Sequence, residues 1–337
     1  MPTRIAINGF GRIGRALFRA WLQRLPECLE NNIELVAIND PIQIDHLLYL
    51  LKYDSTHGPL RATFSVTTQA NKNYLQIADQ SILFLHDKQP QSWGELNIDW
   101  VIDCSGAYRR RALAQQHIDA GAKKVLIGAP AFDPVDITIA YGVNHAALNS
   151  QHKIISAGSC TANALAVLCQ PLVQNIQQVL FTEMHAYTMD QNLVDGYHPD
   201  PRRGRAAAQN MVPTGTAAPQ CVAALLPELA GRIQGYSMRV PVLNVACLDI
   251  TLQLKKLFTL DEIKNLYQQQ ACGRLKGVLA TQSEALVSSD FNGRTFSATL
   301  DETQLRVMDN LIKIIAWYDN ETGYAHRLLD LIALKIN

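Results

Sequence analysis

Two residues carry the chemistry this sequence is expected to perform. Cys160 stands in Ser159-Cys-Thr-Ala-Asn163, after a Gly-Ser turn and just ahead of a run with helical spacing. Helix N-termini favour a thiolate through the dipole and the unpaired amide N–H groups. His185 closes an apolar strand in Thr182-Glu-Met-His-Ala-Tyr-Thr188, and beside a thiol an imidazole is the natural base and later the general acid. Each residue alone has a blander reading. Free cysteine is usually buried filling, and a lone histidine is usually a hydrogen-bonded structural residue. Cys28, Cys104, Cys169, Cys221, Cys247 and Cys272 fit that description, whereas Cys160 is flanked by Ser, Thr and Asn, poor filling but good donors around a charged intermediate.

The N-terminal residues supply a third component. Gly9-Phe10-Gly11-Arg12-Ile13-Gly14 follows an expected strand, Arg4–Asn8, and opens an expected helix, Ile13–Leu25, with Leu17, Ala20, Trp21 and Leu25 on one face. In that setting the glycines let the turn close and the backbone approach a pyrophosphate, while the helix N-terminus favours negative charge. The next strand, Glu34–Asn39, ends at Asp40. An acid there can accept hydrogen bonds from ribose hydroxyls and repels a 2′-phosphate, which favours NAD over NADP. The polar insertion 26–32 accounts for its extra distance from the glycines. A thiol, a base and a dinucleotide site together imply covalent oxidation of an aldehyde. Arg202-Arg203-x-Arg205 and Arg239 are candidate phosphate ligands. The triplet also reads as a solvated face, while Arg239 interrupts an apolar strand. Arg109-Arg110-Arg111 receives no role.

The elements that must position these residues follow from periodicity. Up to Ile127 strands alternate with helices: a helix over 46–53, antiparallel strands over 60–86, strands at 100–104 and 124–127 bracketing a helix at 109–120. That pattern implies a parallel sheet with crossover connections. After Cys160 come a helix over 161–174, a strand over 179–185 and a Gly-, Pro-, Arg- and Asp-rich segment, 187–213, of a length that is usually functional. Long strands are expected over 236–255 and 311–318, and a final helix over 322–336 with Tyr324, Leu328, Leu329, Ile332 and Ile336 in register.

Composition bounds the rest. A chain of 337 residues fits two domains. Thirty basic side chains balance thirty acidic ones, so no global charge draws the protein to nucleic acid or a lipid surface. Seven cysteines without CxxC spacing read as reduced cytosolic thiols rather than a disulfide or zinc framework. No metal site is expected, and the absence of a leader or a membrane-length apolar run points to the cytoplasm.

With these residues in view the chain resembles the phosphorylating glyceraldehyde-3-phosphate dehydrogenase family nearly end to end. The likeness is carried by Ile-Asn-Gly-Phe-Gly-Arg-Ile-Gly-Arg (7–15), Lys-Tyr-Asp-Ser-Thr-His-Gly (52–58), Ala-Gly-Ala-Lys-Lys-Val (120–125) and Ser-Cys-Thr-x-Asn (159–163). It continues in His-x-Tyr-Thr-x-Asp-Gln (185–191), Arg-Arg-x-Arg-Ala-Ala-Ala-Gln (202–209), Arg-Val-Pro (239–241) and Tyr-Asp-Asn-Glu (318–321). The resemblance implies an α/β protein with a Rossmann-type parallel-sheet domain and an α+β catalytic domain with a largely antiparallel sheet. The expected division is an NAD-binding domain, 1–159, completed by the C-terminal helix 320–337, and a catalytic domain, 160–319.

It also implies roles. Cys160 attacks the aldehyde and His185 moves the proton. Gly9, Phe10, Gly11, Arg12, Ile13, Gly14, Asp40, Ser105, Asn320 and Tyr324 hold NAD. Thr188, Asp190 and Arg239 line the substrate-phosphate site, and Ser159, Thr161, Arg203, Thr216 and Ala217 the site of incoming inorganic phosphate. The 187–213 segment crosses between subunits of a homotetramer.

Departures from the family pattern are Ala162 and Ala164 beside the thiol, Ala217 where glycine is usual, Thr322 in place of Trp, and Gly196-Tyr197 in place of a Leu-Pro pair associated with NAD preference. Tyr197-His-Pro-Asp200 and Cys104-Ser-Gly-Ala-Tyr108 resemble the related erythrose-4-phosphate dehydrogenases, whereas Ala186-Tyr-Thr188 and Pro213-Thr-Gly-Thr216 resemble the glyceraldehyde enzymes. The latter segments bind phosphate, so the three-carbon substrate is expected. A reading from another class is a catalytically weak NAD-binding sensor or interaction protein.

Overall fold

The computed structural model describes residues 2–90 and 93–334, and its contacts divide the chain into two compact units. The first comprises the chain up to Ile139, Ala146–Gly158 and the chain from Ala325 onward; the second comprises Ala140–His145 and Ser159–Tyr324. Residues 140–145, Ser159 and 320–324 group with the second unit.

In the first unit β1 (Thr3–Asn8), α1 (Arg12–Gln23), α2 (Leu25–Glu30), β2 (Ile33–Asn39) and α3 (Ile44–Lys52) are followed by a meander of β3 (Phe64–Gln69), β4 (Lys72–Ile77) and β5 (Gln80–Leu85). Then come β6 (Trp100–Asp103), α4 (Arg111–Asp119), β7 (Lys124–Ile127), β8 (Ile137–Thr138) and β9 (Ile154–Ser156). The sheet order is β3-β4-β5-β2-β1-β6-β7-β9-β8, antiparallel only within the meander. Val101-Ile102 and Val125-Leu126-Ile127 are fully buried, the near-continuous apolar run of a strand covered on both faces. The chain passes from β1 to β2 on one side and later returns to β6 on the other. The carboxyl end of β1 is therefore the switch point at which open parallel sheets bind ligands. The polar insertion expected over 26–32 is in part the short helix α2, which starts with Pro26 in its first turn.

In the second unit α5 (Cys160–Cys169), β10 (Ile176–Ala186), β11 (Val212–Thr214), α6 (Ala218–Leu225), β12 (Ile233–Val240) and β13 (Ala246–Leu254) lead to α7 (Leu260–Cys272). They are followed by β14 (Leu279–Gln282), β15 (Ala298–Asp301), β16 (Arg306–Met308), β17 (Leu311–Tyr318) and the start of α8 (Thr322–Ile332). The sheet runs β11-β12-β10-β13-β17-β15-β14, with β16 also on β17. It is mixed: β10–β12 and β14–β15 are parallel and the other pairs antiparallel. Two expectations are corrected. The single strand over 236–255 is two strands, because Pro241 has no N–H to pair and Val245 turns the chain at φ 70°. The helix over 161–174 stops at Cys169 and tightens into a 3₁₀ turn, Gln170–Leu172, around Pro171. Ile336 lies outside the described residues.

Helix α5 is buried on all sides from Thr161 to Cys169, packing Leu165, Val167 and Leu168 into the core formed by β10, β13 and β17. Truncating a leucine in such a position costs about 2–5 kcal/mol. The core thereby fixes where Cys160, at the head of that helix, presents its sulfur.

Candidate active site

The nucleotide-type turn is built by contacts that only glycine allows. Gly9 has φ +88°, and a Cβ on it would lie 2.5 Å from the Ser105 backbone. A Cβ on Gly14 would lie 2.1 Å from the Gly9 carbonyl oxygen, so the turn and α1 touch backbone to backbone. At Gly11 nothing lies within 4 Å of that position, and the residue is exposed. There the backbone is open to a ligand, at the head of a helix with no side-chain cap. Asp40 braces the turn from the end of β2: one carboxylate oxygen accepts from the Phe10 amide at 2.7 Å and the other from the Ile42 amide at 3.0 Å. Beneath it a buried polar row links the three strand ends. Asn39 donates to Asn8 at 2.8 Å, and Asn8 donates to Asp103 at 2.6 Å. Ser105 extends the row, its hydroxyl 3.1 Å from both Asp103 carboxylate oxygens. Arg12, Ile13 and Ser105 are partly or well exposed on this turn side, while Phe10 is buried under it. These features fit a dinucleotide: open amides at a helix head, close backbone approach, and a carboxylate at the neighbouring strand end.

The thiol cluster lies in the second unit. Ser159 caps α5, its hydroxyl accepting from the Ala162 amide at 3.0 Å. Cys160 Sγ, partly buried, is 3.8 Å from His185 Nε2 and 3.9 Å from the Thr161 hydroxyl. Parallel pairing of β10 and β12 sets His185 opposite Arg239, so the two side chains emerge together, with Arg239 Nη1 2.7 Å from His185 Nδ1. The Ala186 carbonyl oxygen is also 2.7 Å from Nδ1 and accepts from Arg239 at 2.9 Å.

On the other side of the ring stands Glu183, whose Oε1 is 3.7 Å from His185 Nε2. Thr161 donates a short hydrogen bond to this oxygen, and the Tyr318 hydroxyl donates to it at 3.3 Å. Burial pushes the Cys160 thiol up to about 12, Glu183 adding to the effect, with the Thr161 hydrogen bonds and Arg239 opposing it. Burial thus works against the thiolate that the helix terminus favours. Burial also lowers the pKa of His185; Glu183 opposes this and Arg239 reinforces it.

The phosphate candidates separate. Arg203 forms a short ion pair with Asp190 and donates to Thr214 at 2.7 and 2.9 Å, with Asp200 3.5 Å away. Asp190 and Arg203, expected at different phosphates, are thus partners of each other. Thr188 is exposed at the start of the loop. Thr216 accepts from the Ala218 amide at 3.2 Å, with Ala217 exposed ahead of α6. Asp319 caps the turn after β17, accepting from the Glu321 and Thr322 amides at 2.9 and 2.8 Å. It fixes Asn320, whose buried side-chain oxygen has no partner among the described residues, an acceptor suited to a carboxamide N–H. Tyr324 is buried in the first turn of α8.

Sequence reasoning missed Glu183, Tyr318 and Thr214. Glu183 had a signal: two residues before His185 in a strand, it shares His185's face.

The chain carries the parts of a dinucleotide-dependent dehydrogenase that works through a thiol. Comparison with known proteins makes this specific. Residues 3–111 match the family model for the glyceraldehyde 3-phosphate dehydrogenase NAD binding domain, and residues 159–320 that for the C-terminal domain. The glyceraldehyde-3-phosphate dehydrogenase of Geobacillus stearothermophilus is 43% identical over 99% of this chain and 98% of its own. That of Mycolicibacterium smegmatis is 42% identical over the same shares, and the chromosomal enzyme of Cupriavidus necator 40% over 98% and 97%. The chain belongs to the glyceraldehyde 3-phosphate dehydrogenase family.

Proposed function

We propose that the chain oxidises glyceraldehyde 3-phosphate to 1,3-bisphosphoglycerate with inorganic phosphate and NAD. The observation that carries this, within the family, is Cys160 Sγ held 3.8 Å from His185 Nε2 at the head of a buried helix. The residues that would hold NAD are Gly9, Phe10, Gly11, Arg12, Ile13 and Gly14 of the turn, with Asp40, Ser105, Asn320 and Tyr324. The chemistry bound NAD supplies is acceptance of a hydride.

The chain's own residues manage the sulfur and the protons. His185 takes the thiol proton at Nε2. Sγ then bonds the aldehyde carbon, and the carbonyl oxygen takes up that proton to give a thiohemiacetal. As the thiohemiacetal is oxidised to a thioester, Nε2 accepts the hydroxyl proton. Phosphate attacks the thioester carbon, the carbon–sulfur bond breaks to release the acyl phosphate, and Sγ leaves as a thiolate that takes back the proton held at Nε2. Arg239, with Thr188 and Asp190, serves the substrate's phosphate; Ser159, Thr161, Arg203, Thr216 and Ala217 surround the incoming one. Asp190 must give up the Arg203 guanidinium for phosphate to use it.

In this reading 1–159 with 320–337 form the NAD-binding domain and 160–319 the catalytic domain. A homotetramer is supported by large apolar side chains on the 187–213 segment: Met189, Leu193, Val194, Tyr197 and Met211 are all more than 70% exposed. Seven unbridged cysteines support a reducing, cytoplasmic setting.

Steady-state rates with glyceraldehyde 3-phosphate and erythrose 4-phosphate, with NAD or NADP and with phosphate varied, test the reading. Phosphate-dependent turnover of the three-carbon aldehyde with NAD is expected, and Cys160→Ser should abolish it. Faster, phosphate-independent turnover of the four-carbon sugar, or activity persisting in Cys160→Ser, would overturn it.

A further inference from the structure

Within the thiol cluster, the mechanism above leaves the buried carboxylate of Glu183 unused. Glu183 is 3% exposed, and its Oε1 faces His185 Nε2 at 3.7 Å, while Cys160 Sγ faces the same nitrogen at 3.8 Å. Two hydroxyls, Thr161 and Tyr318, donate to that oxygen, and they are themselves 2.9 Å apart. Such a triangle of donors holds an acceptor in one place. Two strand residues apart, Glu183 and His185 project from one face of β10, so the carboxylate reaches the ring without any movement of the backbone.

We propose that Glu183 is a positioning residue of the thiol–imidazole pair, its carboxylate engaging the Nε2 proton of His185 in competition with Cys160 Sγ. This deepens the reading of Cys160 and His185 as nucleophile and base, and rests on it. When the S–H bond breaks and the N–H bond forms at Nε2, the new proton has the thiolate on one side and the carboxylate on the other. The carboxylate stabilises the imidazolium and opposes the thiolate, so both steps of the pair, loss of the thiol proton and loss of the imidazolium proton, are held at higher pH than without it. The charged and titratable groups facing the pair are Glu183 on β10 itself, Arg239 on β12, Tyr318 on β17 and Glu321 ahead of α8. Arg239 works in the opposite direction, from the Nδ1 side. His185 is thereby bracketed by a cation and an anion, and the anion is the one beside the reacting nitrogen.

The test is the pH profile of Cys160 alkylation by iodoacetamide, a neutral probe that needs neither substrate nor NAD, on the full chain. In Glu183→Gln both steps of the profile should move to lower pH, each by about one unit or more. Loss of packing alone would scale the rates without moving the steps. Should Glu183→Gln fail to fold, Glu183→Asp, whose carboxylate is drawn back by one methylene, should show a smaller shift in the same direction. A profile for either folded variant that superimposes on the unmodified protein, or moves to higher pH, overturns the proposal. The proposed reaction has its own test: loss of aldehyde turnover in Cys160→Ser can succeed or fail whatever the alkylation profiles show.

Discussion

His185 Nδ1 lies 2.7 Å from Arg239 Nη1 and 2.7 Å from the Ala186 carbonyl oxygen, and it can serve only one of them. With a proton on Nδ1 the ring donates to Ala186 and leaves Nε2 unprotonated, ready to take the thiol proton. With Nδ1 accepting from Arg239, the proton sits on Nε2 and the ring cannot act as a base there. Arg239 therefore bears on the tautomer of His185. Any anion that draws the guanidinium aside favours the tautomer the chemistry needs.

Replacing Arg239 by Gln should raise the pKa of His185, because a cation that opposes its protonation is removed. It should also weaken binding of the sugar phosphate. Loss of a charged hydrogen-bond partner is worth about 1.5–3 kcal/mol, roughly a 10- to 150-fold fall in kcat/KM. Kinetics on the phosphorylated aldehyde, beside alkylation of Cys160 against pH, separate the two effects. An unshifted alkylation profile would show that the guanidinium does not act on the ring.

Asp40 offers a second test, since its carboxylate holds the Phe10 amide at 2.7 Å inside the glycine-rich turn. Asp40→Ala leaves that buried N–H without its partner, at a cost of about 1–3 kcal/mol. NAD should bind more weakly and the melting temperature should fall, whereas Asp40→Asn, which keeps an acceptor oxygen, should lose less of both. Equal behaviour of the two variants in calorimetric titration with NAD would rule out the bracing role.

The Asp190–Arg203 ion pair makes an expectation of the opposite sign. If inorganic phosphate competes with Asp190 for the guanidinium, Asp190→Asn frees the arginine and lowers the KM for phosphate. The Asp190 side chain is 65% exposed, so the gain is about fivefold or less, in keeping with the up to about 1 kcal/mol of surface pairs. A raised KM would instead place Asp190 among the phosphate's own supports.

How far the sequence could be read follows from which interactions are local. The alternation of apolar strands and helical faces up to Ile127 is a local signal, so the parallel sheet was legible. The tight Gly9–Gly14 turn was legible for the same reason, because its steric demand is written in three glycines. The pairing of β10 with β12 was not: that His185 meets Arg239 depends on the register of two strands 54 positions apart. Pro241 was visible, yet the break at Val245 depends on a positive φ that its side chain does not advertise. Glu183 was hidden differently. It sits in a strand that reads as apolar, and the hydroxyls of Thr161 and Tyr318, brought in from α5 and β17, help make its burial tolerable.

The fold's acid sensitivity should show a contribution from His326 in α8. Burial, with Arg24 and Arg327 nearby, lowers its pKa to about 4, and its Nε2 has no partner among the described residues. The unfolded chain takes up this proton near pH 6.5, the folded protein only near 4. Stability from the neutral ring is therefore complete above 6.5 and is lost as pH falls from 6.5 towards 4, by roughly 3 kcal/mol in all. Buried or paired carboxylates such as Asp54, Asp136 and Glu27, whose pKa values are lowered, lose their contribution only below their unfolded values of 3.8 to 4.5. The window from 6.5 to 4.5 thus belongs to histidine, with His185, also lowered by burial, sharing it. His326→Gln should flatten the fall of denaturation free energy across that window relative to the unmodified protein and leave the slope below pH 4 unchanged. Urea titrations at pH 7.0, 5.5 and 4.5 provide the comparison, and parallel curves for the two proteins would remove His326 from the account.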